Sequence, residues 1–506
     1  MPAALMFAVA SLVVLIPLFG SDLPPLVDYP NHLTRMFLLA GPEPLPGHLS
    51  DYYRVHWRPL PNLAMDVIVP LLARFMPLET ASKIFLGALL WLNAAGVIAL
   101  HRALWGKWRI WPGLGILLLY NRIFLWGFVN FLFGLGLAFC TAAAWAAIGP
   151  NRPVLRAAIG AVLSTLTAFC HVEAYGILGL IILGMEAGPA LSFLRRRQWA
   201  ALLSRAMAAL AAVLPAILLF GGTWISGAAG SFHFSGIDAK LDMLLTVFGN
   251  YHPAFDMTAT LLFAALFACL AAAGRLTAVP ALAWWAGLFG PVYLLLPTGI
   301  LSGYSADMRL PLAFSMLMVA GTAPIRLDRR LAAALTTITA TLFLVRMMLI
   351  ESVWSRAGPV YAANLEVLSH LPEGAKLAIA SPWAILNVTD IPTVHFPTLA
   401  VKLRHAYVPT VFAFASQQPL EHTERSRKLM EWAAPDEIFA AFTEGNQVER
   451  TRMETVLPKF DYAVFLHNEP FTVPPDDCLT FVAGTSMFQL FRISPRDGVC
   501  RHQPVR

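Results

Sequence analysis

The chain has 506 residues, 58% of them hydrophobic and only 13% charged, with a mean hydropathy of +0.64. Those proportions exclude a water-soluble globular protein and describe a polytopic α-helical membrane protein. The formal net charge of +6 does not point to nucleic acid. The basic residues sit in short gaps between apolar runs: Arg102, Lys107 and Arg109; Arg152 and Arg156; Arg195, Arg196, Arg197 and Arg205; Arg275; then Arg326, Arg329 and Arg330, with Asp328 as the one acid among them. That is the bias of cytoplasmic loops.

A helix needs roughly 20 apolar residues to cross a bilayer. On that basis about eleven spans are expected, near 3–20, 82–101, 111–126, 130–148, 154–170, 173–188, 201–221, 257–273, 277–297, 308–323 and 331–350. With the basic gaps inside, the N-terminus is cytoplasmic and the chain after 350 is exterior. The first apolar run, Ala3 to Phe19, lacks a basic leader and an Ala-x-Ala site, so it is expected to stay as a span.

Residues 21–81 form the first exterior loop. It opens with Pro24-Pro25-Leu26-Val27-Asp28-Tyr29-Pro30-Asn31-His32, continues as a helix over Tyr29 to Leu39, and passes Trp57-Arg58-Pro59-Leu60-Pro61-Asn62 into a short interfacial helix, Leu63 to Met76. The prolines stop the first helix and fix where Asp28 points. Asp28 has two readings: a helix N-cap, or a functional carboxylate at the membrane boundary.

A second exterior loop, 222–256, is rich in Gly, Ser, His and Asp and has room for a lid; a third, Gly299 to Arg309, ends in Ala306-Asp307-Met308-Arg309. Residues 1–350 thus form a membrane domain and 351–506 an exterior α/β domain. In the latter, Lys376 to Ala380 and Tyr462 to Leu466 read as buried strands, Glu421 to Met430 as an exposed helix, and Leu479–Ala483 with Met487–Ile493 as a β-hairpin. Cys140, Cys170 and Cys269 fall in spans as small apolar fillers. Cys478 and Cys500 are a candidate disulfide in an oxidising compartment. No Cys/His spacing matches a zinc site.

If this topology holds, polar groups from five segments meet the outer face: Asp28, Asn31, His32 and Arg58 from the first loop; Asn121 and Arg122; Asn130; His171 and Glu173; Asp307 and Arg309. No matching set is expected on the inner face. Each has a plain alternative: His171 as an interior histidine, Arg122 reaching to headgroups, and Arg309 pairing with Asp307. Together they suit group transfer from a lipid phosphate. Arginine offers a forked donor to a leaving phosphate, and a carboxylate can deprotonate an incoming hydroxyl.

At these residues the chain resembles the GT-C superfamily of membrane glycosyltransferases, which includes protein O-mannosyltransferases and the aminoarabinose transferases of lipid A. The resemblance is carried by Asp28, by Arg58-Pro59-Leu60-Pro61, and by Ala81-Ser82-Lys83-Ile84 leading to His101-Arg102-Ala103-Leu104-Trp105-Gly106, over roughly the first 110 residues. It implies a GT-C-like membrane domain in a bacterial inner membrane and a periplasmic C-terminal domain. It also implies a lipid-linked sugar donor and a lipid, polysaccharide or protein acceptor. Asp28 resembles the catalytic carboxylate, Arg58 and Arg309 the phosphate contacts, and His171 a basic position of the family. Asn130 stands where many relatives have a second acid, and Asp28-Tyr29 replaces their acidic pair. Those departures leave both a divalent metal and the donor sugar open. The reading from another class is a transporter or flippase of a lipid-linked saccharide; a third is an inactive scaffold.

Overall fold

The structure, a computed structural model, describes residues 2–42, 45–226, 232–299, 305–382, 391–431, 434–444, 446–495 and 499–500. Parts of two expected loops, 227–231 of the lid and 300–304 of the third turn, lie outside the described residues. The chain forms two compact units. One contains Met1–Leu18, Pro59–Met65 and Ile84–Glu351; the other contains Phe19–Arg58, Asp66–Lys83 and Ser352–Arg506.

The first unit is a mostly helical, membrane-type bundle. Among the described residues, seven helices in the chain are long and apolar enough to cross a bilayer: Leu78–Trp105, Val129–Ile148, Pro153–Cys170, Val172–Arg195, Trp199–Gly221, Pro253–Ala272 and Arg329–Ser369. Three further expected spans, Met6–Gly20, Ala281–Leu295 and Arg309–Gly321, are shorter apolar helices. The last two have 15 and 13 residues, which at 1.5 Å per residue gives roughly 20 Å each, short of a ~30 Å hydrocarbon core. The expected span 111–126 is not one helix. It is a 3-10 segment, Trp111–Leu118, followed by a five-residue helix, Arg122–Trp126, whose Asn121 cap accepts from the Phe124 amide. Pro112, Gly113 and Gly115 remove a donor and weaken the α geometry there. Apolar composition survived in these runs while helix continuity did not.

Small residues let the helices approach. A Cβ at Gly136 would lie 2.9 Å from the Asn93 backbone nitrogen, and one at Gly184 would lie 2.2 Å from the Trp285 indole. The absent Cβ at 184 gives Trp285 room to donate to the Ile181 carbonyl at 2.9 Å. Close backbone approach of this kind is how apolar helices associate in lipid, where burial alone gives little drive.

The second unit holds a four-stranded sheet ordered Leu377–Ala380, Tyr462–Leu466, Phe488–Ile493, Leu479–Gly484, with the first pair parallel and the others antiparallel. The two expected strands and the hairpin are therefore present. Glu421 lies in a short strand, Leu420–His422, and the exposed helix begins only at Glu424. Cys478 and Cys500 are disulfide-bonded. The helix begun at Arg329 runs on to Ser369, past the expected boundary near 350.

Most of the first loop belongs to this second unit rather than to the membrane domain. Tyr53–Val55 pairs antiparallel with Leu420–His422. The Tyr29–Ala40 helix is buried along most of its length, and Arg35 is paired with Asp66 at 2.7 Å, both fully buried. Asp66 belongs to the Ala64–Leu72 helix, which replaces the longer expected 63–76.

Candidate functional site

In the second unit the site grows from the Pro24–Pro30 turn. Asp28 occupies the N-cap position of the Tyr29–Ala40 helix, but its backbone is α-helical and its side chain makes no capping bond. Pro30, in the first turn, has no amide to satisfy. The carboxylate instead lies 3.3 Å from His395, Oδ1 to Nε2, with the two side chains 14% and 16% exposed. This removes the capping alternative for Asp28.

Asn31 holds the histidine from the other side. Its Nδ2 donates to the Thr410 carbonyl at 2.8 Å and reaches His395 Nδ1 at 3.4 Å, while its Oδ1 accepts from the Phe412 amide at 2.7 Å. With Nδ1 as the acceptor, the ring proton is on Nε2 and points at Asp28. The Phe412 ring meets both His395, centroids 4.9 Å apart, and His32, 5.8 Å. The result is a chain Asn31–His395–Asp28 with an aromatic wall. The carboxylate can accept a proton from an incoming hydroxyl, and the His395 Nε2–H facing it holds its orientation.

Arg58 is paired with a carboxylate. It donates to Glu421 Oε1 at 2.8 Å and to the Ala415 carbonyl. Glu421 also receives Arg54 at 2.7 Å and faces His56 at 3.6 Å. Burial pushes the Glu421 carboxyl up, but the Arg54 hydrogen bond and the charges of Arg58, Arg54 and His56 outweigh it and hold it below the usual range.

The first unit collects a separate set. His171 Nδ1 accepts from the Glu173 amide at 3.2 Å, and its ring stands edge-on to Phe131. Glu173 is ion-paired with Arg309, whose guanidinium lies 4.5 Å from the Phe128 ring and 5.2 Å from that of Phe131. Arg309 thus pairs with Glu173 and not with Asp307. Asp307 accepts from Lys240 at 3.0 Å, Ser235 at 2.7 Å and Thr298 at 2.8 Å. Lys240 also donates to the carbonyls of Tyr293 and Leu296 at 3.0 Å each, which ties the expected lid to the bundle. Among the described residues, Arg122 has one ionic partner, Asp242, loosely at 3.7 Å.

Asn130, expected to bind substrate, makes structural hydrogen bonds. Its Oδ1 accepts from the Met65 amide and its Nδ2 donates to the Asn62 carbonyl, both at 2.7 Å. It secures the 59–65 segment, where Asn62 takes φ +80°.

The expectation of no polar cluster at the opposite helix ends is overturned. Glu186 accepts from Arg156 at 3.0 Å, Arg205 at 2.6 Å and the Trp145 indole at 3.0 Å. Two functional candidates were missed in the sequence, His395 and Lys240. Neither lies in a local motif; the signal for each was a buried acid, Asp28 or Asp307, needing a partner from far along the chain. No group of three or more His, Cys, Asp or Glu among the described residues is arranged to hold a metal ion, so no step is derived through one. Comparison with protein families, with curated proteins and with solved structures finds no match.

Proposed function

We propose that the chain is a GT-C-type glycosyltransferase of a bacterial inner membrane. It moves a sugar from a polyprenyl-phosphate donor to a hydroxyl of an envelope lipid, polysaccharide or protein on the periplasmic face. The observation that carries this reading is Asp28, a nearly buried carboxylate just past the first apolar helix that caps nothing and meets His395. The acceptor oxygen bonds to the anomeric carbon as the bond from that carbon to the phosphate oxygen breaks. The hydroxyl proton passes to Asp28, and the lipid phosphate leaves with the electron pair. Asn31 and His395 fix and polarise the carboxylate. The phosphate roles that the resemblance gives Arg58 and Arg309 stay outside the proposal, because both guanidinium groups already face carboxylates.

A second reading, transport of a lipid-linked saccharide, is favoured by the Asp256–Arg346 pair at 3.2 Å, buried between two apolar helices. Intramembrane charges mark transport paths. Asp256, however, lies in the first turn of its helix and not at the midplane where transporter sites concentrate, so this reading ranks second.

The test is the envelope glycan profile, by mass spectrometry, of a deletion strain complemented with wild type, Asp28→Asn or His395→Gln at equal abundance. Loss of general-base help is worth roughly 10²–10⁴ in rate, so Asp28→Asn leaves the sugar missing. Full restoration by Asp28→Asn sinks the transferase mechanism. Lipid-linked sugar entering vesicles without product puts transport first.

A further inference from the structure

We infer that the first unit carries a binding site for one anionic phospholipid, with its phosphate at Arg109 and an acyl chain in the groove behind it. This site is independent of the Asp28 chemistry and of the reaction proposed above.

The groove has a volume of about 520 Å³ and is lined mainly by Phe7 and Val13 on the first helix, Leu114 on the 3-10 segment, and Leu335 and Phe343 on the long Arg329–Ser369 helix, with Leu266 of the Pro253–Ala272 helix and Pro324 closing it. Its described lining is apolar except for two threonines, the Trp111 indole and one charged residue, Arg109. From Ala332 to Leu344 the wall follows one helix, a run of roughly 18 Å at 1.5 Å per residue. That matches one leaflet of a ~30 Å hydrocarbon core. It suits a fatty-acyl chain and is short for an extended polyprenyl tail.

Arg109 sits where a headgroup would sit. Its Nη1 makes one long bond, 3.4 Å to the Pro324 carbonyl. Its guanidinium lies 5.6 Å from the Trp105 ring, its Nε is buried without a hydrogen-bond partner among the described residues, and the Nη end of this half-buried side chain is the part a phosphate could reach. The surrounding end of the bundle is fixed by Trp105 donating to the Ala320 carbonyl at 3.1 Å, by Trp111 donating to Thr322 at 3.1 Å, and by the pairing of Leu276–Ala278 with Thr322–Pro324. Those same segments carry Arg102, Lys107, Arg275, Arg326, Arg329 and Arg330. The one acid among them in sequence, Asp328, accepts from the Leu331 amide at 2.8 Å as a helix cap, and a single carboxylate against these basic residues leaves the patch positive. A positive rim above an apolar slot one leaflet deep complements an anion on an alkyl chain.

The experiment is lipid retention by the purified, delipidated full chain in native mass spectrometry. The probes are phosphatidylglycerol and phosphatidylcholine of the same acyl chains, with undecaprenyl phosphate as competitor. Wild type is expected to hold one phosphatidylglycerol about tenfold more tightly than phosphatidylcholine: both offer Arg109 a phosphate, but the choline cation of the second is repelled by the basic rim, a difference of roughly 1.4 kcal/mol. Arg109→Gln should erase that preference, and Arg109→Lys should keep most of it. Ala340→Trp, which fills the groove, should weaken both lipids; the Arg109 pair carries the test if that variant does not fold. Arg196→Gln, an exposed arginine of a different basic gap, should bind as wild type. Equal retention of the two phospholipids by wild type overturns the site. So does an equal loss in Arg196→Gln, which would mean bulk charge alone. Displacement of phosphatidylglycerol by an equal concentration of undecaprenyl phosphate overturns the choice of occupant.

Discussion

Removing Asp66 alone should damage the protein more than removing Asp66 and Arg35 together. The two side chains are fully buried and joined twice, Nε to Oδ1 at 2.7 Å and Nη2 to Oδ2 at 3.1 Å. The fork geometry is strong, yet desolvating both ions offsets most of the attraction. Asp66→Leu leaves a guanidinium in an apolar site, a cost of about 3–5 kcal/mol. Arg35→Met/Asp66→Leu removes the stranded charge as well, so most of that loss should return. For a unit of roughly 200 residues each kcal/mol is worth about 2–4 °C, which puts the single variant near 10 °C below wild type. Thermal unfolding of the detergent-solubilised chain, read by near-ultraviolet circular dichroism, measures both. The Tyr29–Ala40 helix of Arg35 carries Asn31, with Asp28 at its N-cap, so the proposed transfer activity should fall and recover in step with the melting point. If the single-variant losses simply add in the double variant, the two residues do not act as a pair and the reasoning fails.

Acid should weaken the second unit through His422. Burial, with a smaller push from Arg427 and against the hydrogen bond to the Val411 carbonyl, lowers its pKa to about 4. A histidine that binds its proton less well when folded gives stability that is complete above its unfolded value of about 6.5 and is lost as pH falls toward 4. The loss amounts to about 3 kcal/mol, and melting points between pH 7 and 4 should drop accordingly while His422→Gln flattens the slope. The Cys478–Cys500 bond closes a loop of sequence separation 22, worth about 3 kcal/mol by the chain-entropy estimate. Cys478→Ser/Cys500→Ser should lower the melting point, and alkylation of the unreduced protein should label neither cysteine.

How much of this was legible in the sequence depended on the range of the interaction involved. Hydropathy marked where the membrane-type helices lie, though not where each one ends, because lipid demands long apolar runs from each segment alone. It counted eleven because four further segments, Met6–Gly20, Trp111–Leu118, Ala281–Leu295 and Arg309–Gly321, are apolar as well; they are short or broken as helices. The hairpin at 479–493 and the strand at 462–466 were legible for the same local reason. The membership of the first loop was not. Tyr53 finds His422, and Asn31 finds Thr410 across 379 residues, and nothing in either stretch encodes the other. The site shows the same division. A buried ionisable side chain can be located from its apolar neighbourhood, since leaving it unpaired is costly. That same cost means its charge is satisfied by a distant residue before any ligand arrives. Arg58 with Glu421, Arg309 with Glu173 and Asp307 with Lys240 are all of this kind. Such residues stand out in the sequence by their type and their apolar setting; their partners do not. Asp28 differs because its partner is a histidine, a group that can exchange a proton as well as neutralise a charge, and that difference makes it the carboxylate to test first.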